Sequence, residues 1–227
     1  MSLAVNISDL TFSWSKQHSF ALNIANWQVS EGQSVFLYGP SGSGKSTLLN
    51  LLSGVLCADA GKIEIFGENL TALSAKKRDI YRADNIGVIF QQFNLLPFLT
   101  GLQNIQLASA FRSKKLIIDT DFEQNIYNNL SLTEGILKQK ANTLSVGQQQ
   151  RIAVARALIG KPKLIIADEP TSALDTDLRD SFIQLLLENA ADSSVIFVSH
   201  DRSLASIFDL QYDIQALQSK KDDRYVI

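Results

Sequence analysis

At 227 residues the chain is long enough for one domain with a sizeable insertion and short of the length at which most chains divide, and its 45% hydrophobic content can fill a core. A net charge of −2 leaves no basic stripe for a phosphate backbone, which excludes nucleic acid as the default partner. Cys57 is the single cysteine, so no internal disulfide forms; in an apolar helical stretch it is expected to be a small buried thiol, which fits a reducing cytosol.

In chain order, Leu10, Phe12 and Trp14 alternate with polar residues and residues 21–29 alternate loosely, predicting an antiparallel opening of half-buried strands. Neither a basic segment nor an apolar run of signal-peptide length precedes Asp9, so no leader is expected. Ser34-Val35-Phe36-Leu37-Tyr38 is a continuous apolar strand that enters a glycine-rich turn, and residues 45–56 then carry helical spacing. Further short buried runs stand at 62–66, 86–90, 163–167 and 194–198, with helical patterns between the later ones. This alternation predicts an α/β fold with a mostly parallel sheet and a β-rich flank. From 100 to 143 the pattern is nearly all helical and reads as an inserted subdomain. No apolar stretch approaches the roughly 20 residues needed to cross a bilayer, so the chain is expected to be soluble by itself and to reach a membrane only through a partner. The charged run 220–224 predicts a solvated tail.

Gly39-Pro40-Ser41-Gly42-Ser43-Gly44-Lys45-Ser46-Thr47 matches the phosphate-loop pattern GxxxxGK[ST] in full, between a strand and a helix. Glycines let backbone N–H groups turn inward around phosphate oxygens, the helix start aims its positive end at them, Lys45 adds a charge and Ser46 offers a hydroxyl to Mg²⁺. Residues 163–167 form an apolar strand ending in Asp168-Glu169, where a parallel sheet presents catalytic groups. Asp168 suits the Mg²⁺ shell and Glu169 the polarisation of an attacking water.

Leu144-Ser145-Val146-Gly147-Gln148, followed by Gln149-Gln150-Arg151, resembles the signature of ATP-binding-cassette (ABC) ATPases, which other phosphate-loop families lack. Gln91 after Val88-Ile89-Phe90 resembles the family's Q-loop, Ser172-Ala173-Leu174-Asp175 its D-loop, and Ser199-His200-Asp201 its switch histidine. With the phosphate loop and Asp168-Glu169, the motifs stand in family order, so nearly the whole chain resembles an ABC-transporter ATPase subunit. The resemblance implies a P-loop NTPase core of mostly parallel sheet with an N-terminal antiparallel β flank and an inserted α-helical subdomain. Residues 1–90 and 146–217 would form the core, 91–145 the Q-loop and helical subdomain, and 218–227 a tail.

It also implies ATP and Mg²⁺ as ligands and a role for each matching residue. Gly39, Ser41, Gly42, Ser43, Gly44, Lys45, Ser46 and Thr47 would cradle the phosphates, with Ser46, Gln91 and Asp168 at the metal. Glu169, His200 and Lys45 would be catalytic, and Ser145, Gly147, Gln148 and Asp175 would serve the nucleotide across a dimer with a second copy. Trp14 matches the aromatic that stacks on adenine, an interaction of ~1–3 kcal/mol by analogy with base stacking elsewhere; its rival place is the core face of Leu10 and Phe12. His18 is expected in a surface loop. Val146 stands where glycine is usual, but at a helix start φ is negative and a β-branched residue fits. Gln103 stands where related exporters often carry an acid.

The segments 90–97 and 166–171 look most like the lipoprotein-release and macrolide-export group, with polar amino-acid importers second and soluble non-transport ATPases third. Integral membrane permease subunits are then the implied partners, holding the chain at the cytoplasmic face of the membrane. Of Phe93, Leu95, Leu96 and Phe98, closely spaced around Pro97, some are expected to fill the joint to the helical insertion and some to line a surface groove.

Overall fold

The computed structural model describes residues 2–14, 21–113, 120–172, 174 and 176–218, without the side chains of Asp177 and Leu178. His18, Asp175 and the tail from 219 onward lie outside the described residues.

The predicted opening strands are β1 (Leu3–Ser13) and β2 (Ala21–Ser30), which pair antiparallel with Ile7 opposite Trp27 and Phe12 opposite Leu22. Along β1 the buried face passes from Val5 and Ile7 to Leu10 and Phe12, a change of parity that a regular strand forbids. Asp9 absorbs it: its φ is 49° and the pairing with β4 (Ala60–Ile65) shifts between Ser8 and Thr11. Gly61 permits the close approach, since a Cβ there would sit 2.3 Å from the Asp9 carbonyl oxygen. With β5 (Glu68–Asn69) this sheet has the order β2-β1-β4-β5, so the run 62–66 belongs to the antiparallel flank.

The second sheet is parallel at every pairing. It joins β3 (Ser34–Tyr38), β6 (Ile86–Ile89), β7 (Leu164–Asp168), β8 (Ser194–Val198) and β9 (Leu210–Asp213) in the order β6-β7-β8-β3-β9. Both faces are covered, which is why its central strands read as unbroken apolar runs. Val35, Leu37, Leu164, Ile166, Ile196 and Val198 pack toward the antiparallel sheet and helix α1 (Lys45–Leu52). Phe36, Ile165, Ala167, Val195 and Phe197 face the other way, with Phe36 stacked on Phe197 at 6.3 Å between ring centroids. Each fully buried aromatic or branched side chain contributes about 1.5–3 kcal/mol.

Helix α1 ends earlier than the spacing predicts, because Gly54 takes a φ of 69° just after its cap. Cys57 therefore lies beyond the helix and is exposed, which corrects the expected buried thiol. Helix α2 (Ala75–Asn85), which the apolar pattern does not signal, buries no residue; it is held by its Ser74 cap and by Tyr81, whose hydroxyl donates to the Ile65 carbonyl.

The stretch after residue 100 is helical as expected: α3 (Gly101–Ala110), α4 (Thr120–Asn129) and α5 (Glu134–Lys138) bury Ile105, Ile126 and Leu137 with Ile152 of α6 (Val146–Leu158). Gln103 closes a capping box with Thr100, a local task that an amide performs as well as an acid. Helix α7 (Thr176–Asn189) covers the same side through Phe182, Ile183 and Leu186.

Candidate active site

A cleft of about 660 Å³ opens beyond the C-terminal ends of four parallel strands. β3 delivers Ser41, Gly42 and Gly44 through Thr47, β6 delivers Gln91, β7 delivers Asp168 and Glu169, β8 delivers His200, and Trp14 reaches in from the end of β1. Residues spread over almost the whole sequence meet here because adjacent parallel strands end side by side: Asp168 is level with Val198, and Val198 with Leu37.

The glycine-rich loop wraps the start of α1. Gly44 caps that helix in the left-handed region at φ 98°, and a Cβ at Gly39 would lie 2.7 Å from Cγ2 of Ile214, at the start of α8 (Ile214–Leu217). Gly39 and Ser43 stand behind the loop rather than on the cleft wall: Ser43 donates its hydroxyl to the Pro40 carbonyl at 2.7 Å and accepts from Gln218 Nε2 on its own carbonyl at 2.8 Å. Lys45 is buried to 8% exposure and donates from Nζ to the carbonyls of Gly39 at 2.8 Å and Pro40 at 3.0 Å. A buried ammonium held by neutral carbonyls, at a helix N-terminus lined with backbone N–H groups, is built for a polyanion.

On the opposite wall burial pushes the Asp168 carboxyl above the usual carboxylate range, and the nearby Glu169 charge pushes the same way. A hydrogen bond from Ser46 and the Lys45 charge offset part of this. Glu169 is held at φ 43°, a conformation that costs a non-glycine residue roughly 1–2 kcal/mol. Its N–H donates to the Val198 carbonyl at 3.0 Å, and its Oε2 lies 3.3 Å from His200 Nδ1. His200 remains two-thirds exposed and Glu169 half-buried, so the pair faces the open cleft. Gln91 donates from Nε2 to the Ser172 hydroxyl at 3.2 Å, a partner that the sequence presents only as part of a motif.

The donors fit a magnesium ion. Ser46 hydroxyl, Asp168 carboxylate and the Gln91 amide are hard oxygen ligands on one cleft. Among the described residues no group of three or more His, Cys, Asp or Glu could hold a metal alone, and Mg²⁺ characteristically completes its shell with water and substrate phosphates.

Trp14 is 57% exposed and meets Phe12 edge-on at 5.4 Å, which places it on the cleft and not on the core face of Leu10 and Phe12. Ser145, Gly147 and Gln148 do not line the cleft of their own chain. They form the start of α6, where Ser145 is exposed and Gly147 and Gln148 are half-buried: Ser145 caps the helix and Gln148 Oε1 accepts from the Ser145 N–H at 2.9 Å. A Cβ at Gly147 would meet nothing within 4 Å, and Val146 is 53% exposed at the helix start. Two further polar side chains, Gln150 at the end of the signature segment and Arg156, received no role from the sequence. Gln150, buried on α6, donates to the Pro170 carbonyl beside Glu169, and Arg156 donates to the carbonyls of Phe93 and Asn94 beyond Gln91.

Residues 22–172 match the family model described as ABC transporter. The ABC transporter ATP-binding protein MJ0796 of Methanocaldococcus jannaschii is 37% identical over 200 residues, covering 86% of this chain and 85% of that protein. The lipoprotein-releasing system ATP-binding protein LolD of Xanthomonas oryzae pv. oryzae is 34% identical over 201 residues, covering 88% and 82%. A solved dimer of MJ0796, a post-hydrolysis state bound to ADP and Pi, superposes with a TM-score of 0.79 at 34% identity over 92% of this chain and 93% of that one. The phosphate-loop cleft, the fold around it and these likenesses together show that the chain belongs to the ABC transporter family, as one of its ATP-binding domains.

Proposed function

We propose that the chain is the ATPase subunit of an export or lipoprotein-release transporter, and that it hydrolyses Mg-ATP between two copies of itself. The observation that carries the reading is the division of the site: phosphate-binding, acidic and histidine residues share one cleft, while Ser145, exposed, and Gly147, half-buried, stand outside it. A second copy would bring its own Ser145, Gly147 and Gln148 over the nucleotide held by the first, as the dimeric MJ0796 cassette supports. Asp175 is assigned to the same contact. The likeness to LolD supports the release-type assignment.

In this reading Trp14 stacks on the adenine, the loop amides and Lys45 hold the β- and γ-phosphates, and Ser46, Gln91 and Asp168 hold Mg²⁺, which neutralises charge on the phosphate oxygens. Glu169 accepts the proton of the attacking water, and its strained backbone fixes the carboxylate toward the cleft. His200 is placed by Glu169 to donate a hydrogen bond to the γ-phosphate. The lone pair from water forms the new P–O bond, the bond to the ADP oxygen breaks, and Lys45 stabilises the charge left there.

Coupling to a permease is assigned to the face beside Gln91. Phe93 is buried and Leu95 packs on the core, whereas Leu96 and Phe98 are 39% and 65% exposed. A groove of about 800 Å³, lined by Val55, Ile86, Phe90, Leu107 and Phe111, runs between α2 and α3 and reaches Phe90, the residue before Gln91. It fits a short amphipathic helix of a membrane subunit. Among the described residues no helix is long and apolar enough to cross a membrane, and we assign the chain to the cytoplasmic face, with 1–90 and 146–217 as core, 91–145 as Q-loop and helical subdomain, and 218–227 as tail. Cysteines at positions 93–104 paired with cysteines in the cytoplasmic loops of the co-purifying permease test this: crosslinks are expected, and their absence from every pair in cells would leave an ATPase without a transporter role.

A further inference from the structure

Phe93 and Asn94 are consecutive non-glycine residues in the left-handed region, with φ of 55° and 47°, two positions beyond Gln91. Such a pair is disfavoured and persists only where its surroundings hold it. Its N–H groups are satisfied locally, Phe93 by the Phe90 carbonyl at 3.0 Å and Asn94 by the Gln92 carbonyl at 2.6 Å. Its two carbonyls are held by one side chain: Arg156 donates from Nη2 to Phe93 at 2.6 Å and from Nη1 to Asn94 at 2.8 Å. The planar guanidinium spans two acceptors at once, which a lysine ammonium cannot reproduce. Burial lowers the pKa of Arg156, so this fork sits where a cation is costly. Arg156 is on α6, ten residues after Val146, and the helix between them is a rod of about 15 Å.

We propose that Arg156 is a positioning residue for ATP hydrolysis: by holding both carbonyls of the Phe93-Asn94 turn it fixes Gln91 in the cleft and ties that placement to the helix that begins at Ser145. The inference rests on the nucleotide reading of the cleft. It gives the signature helix a direct grip on the Q-loop, so a displacement of α6 by a second copy moves Gln91 through the guanidinium.

The test is steady-state hydrolysis of Mg-ATP by Arg156→Met and Arg156→Lys, each alone and combined with Asn94→Gly, beside the wild-type chain, with nucleotide binding and thermal unfolding measured on all. The expected result for Arg156→Met is a kcat at least ten-fold lower with KM within two-fold of wild type, and lysine restores little. Asn94→Gly then raises the kcat of either variant three-fold or more, because glycine takes the left-handed conformation without being held. If Arg156→Met does not fold, the Arg156→Lys pair decides by the same comparison. An unchanged kcat, a loss shared equally by kcat and KM, or a loss that follows unfolding temperature and ignores Asn94→Gly would overturn the proposal while leaving ATP binding intact. A wild-type chain that binds no ATP would instead overturn the nucleotide reading, and this proposal with it.

Discussion

Glu169 Oε2 and His200 Nδ1 face each other at 3.3 Å, one residue beyond β7 and two beyond its parallel neighbour β8. The register of that strand pair, Asp168 opposite Val198, sets the spacing, so the dyad is a property of the sheet and not of two independent loops. Glu169→Gln keeps the shape and removes the base, and turnover should fall about 10²–10⁴-fold with ATP still bound. His200→Ala should lower turnover by ten-fold or more with little change in affinity. A His200→Ala enzyme with unchanged kcat would reduce the histidine to a structural role.

Lys45 should matter at the binding step. Its ammonium is buried against carbonyl oxygens that cannot neutralise it, and a triphosphate would supply the missing charge. A charge-assisted hydrogen bond contributes about 1.5–3 kcal/mol, so Lys45→Ala should weaken Mg-ATP binding roughly 10- to 150-fold by calorimetry. Near-normal affinity would remove the loop from the phosphate site.

These placements were largely legible before any coordinates, for a physical reason. The central strands are buried on both faces, so their apolar runs stop where the chain reaches the cleft, and within a few residues of each run the chain supplies its lining: Ser41 after β3, Gln91 after β6, Asp168 with Glu169 at the end of β7, and His200 after β8. What was not legible is tertiary. Helix α2 buries no residue and so has no apolar period, and Cys57 follows an apolar helix whose end is set by the backbone of Gly54. Trp14 shares the parity of the buried Leu10 and Phe12, and its exposure comes from its place just past Ser13, the last residue of β1, a boundary that the alternation does not mark. Arg156 reads as one more charge on a helix, because its acceptors are backbone atoms 62 and 63 positions away.

Asp168 should trade stability for function. Its carboxyl is raised above its unfolded value, so the ionised form is disfavoured in the folded chain: the cost is absent below the ordinary carboxylate pKa and complete once pH has risen through the folded one. Asp168→Asn should therefore unfold at a higher temperature than wild type at neutral pH without nucleotide. A rise of about 2–4 °C is what 1 kcal/mol does in a domain of this size. The advantage should shrink as pH falls through the raised pKa, and Mg²⁺-dependent hydrolysis should be lost at every pH. Scanning calorimetry from pH 4 to 8 checks the sign, and an asparagine variant less stable than wild type at pH 7 would refute it.

The groove between α2 and α3 should carry coupling. A carboxylate placed among Val55, Phe90 and Phe111 would have to be desolvated beneath any docked apolar helix. Phe111→Glu, in the groove, and Leu96→Glu, at an exposed apolar position after Gln91, should abolish stimulation of hydrolysis by the reconstituted permease and leave hydrolysis by the isolated chain within about two-fold of wild type. Equal loss of both activities would show that the groove supports the fold and does not transmit.

The most direct test of a site shared between two copies is the molar mass of Glu169→Gln by light scattering across a range of protein concentrations, with and without Mg-ATP. We predict a single chain without nucleotide, a pair with it, and a single chain again when Gly147→Glu is added, because the exposed start of α6 would then present a carboxylate to the partner's phosphates. A Glu169→Gln chain that binds Mg-ATP and keeps the mass of one chain at every concentration would contradict the account.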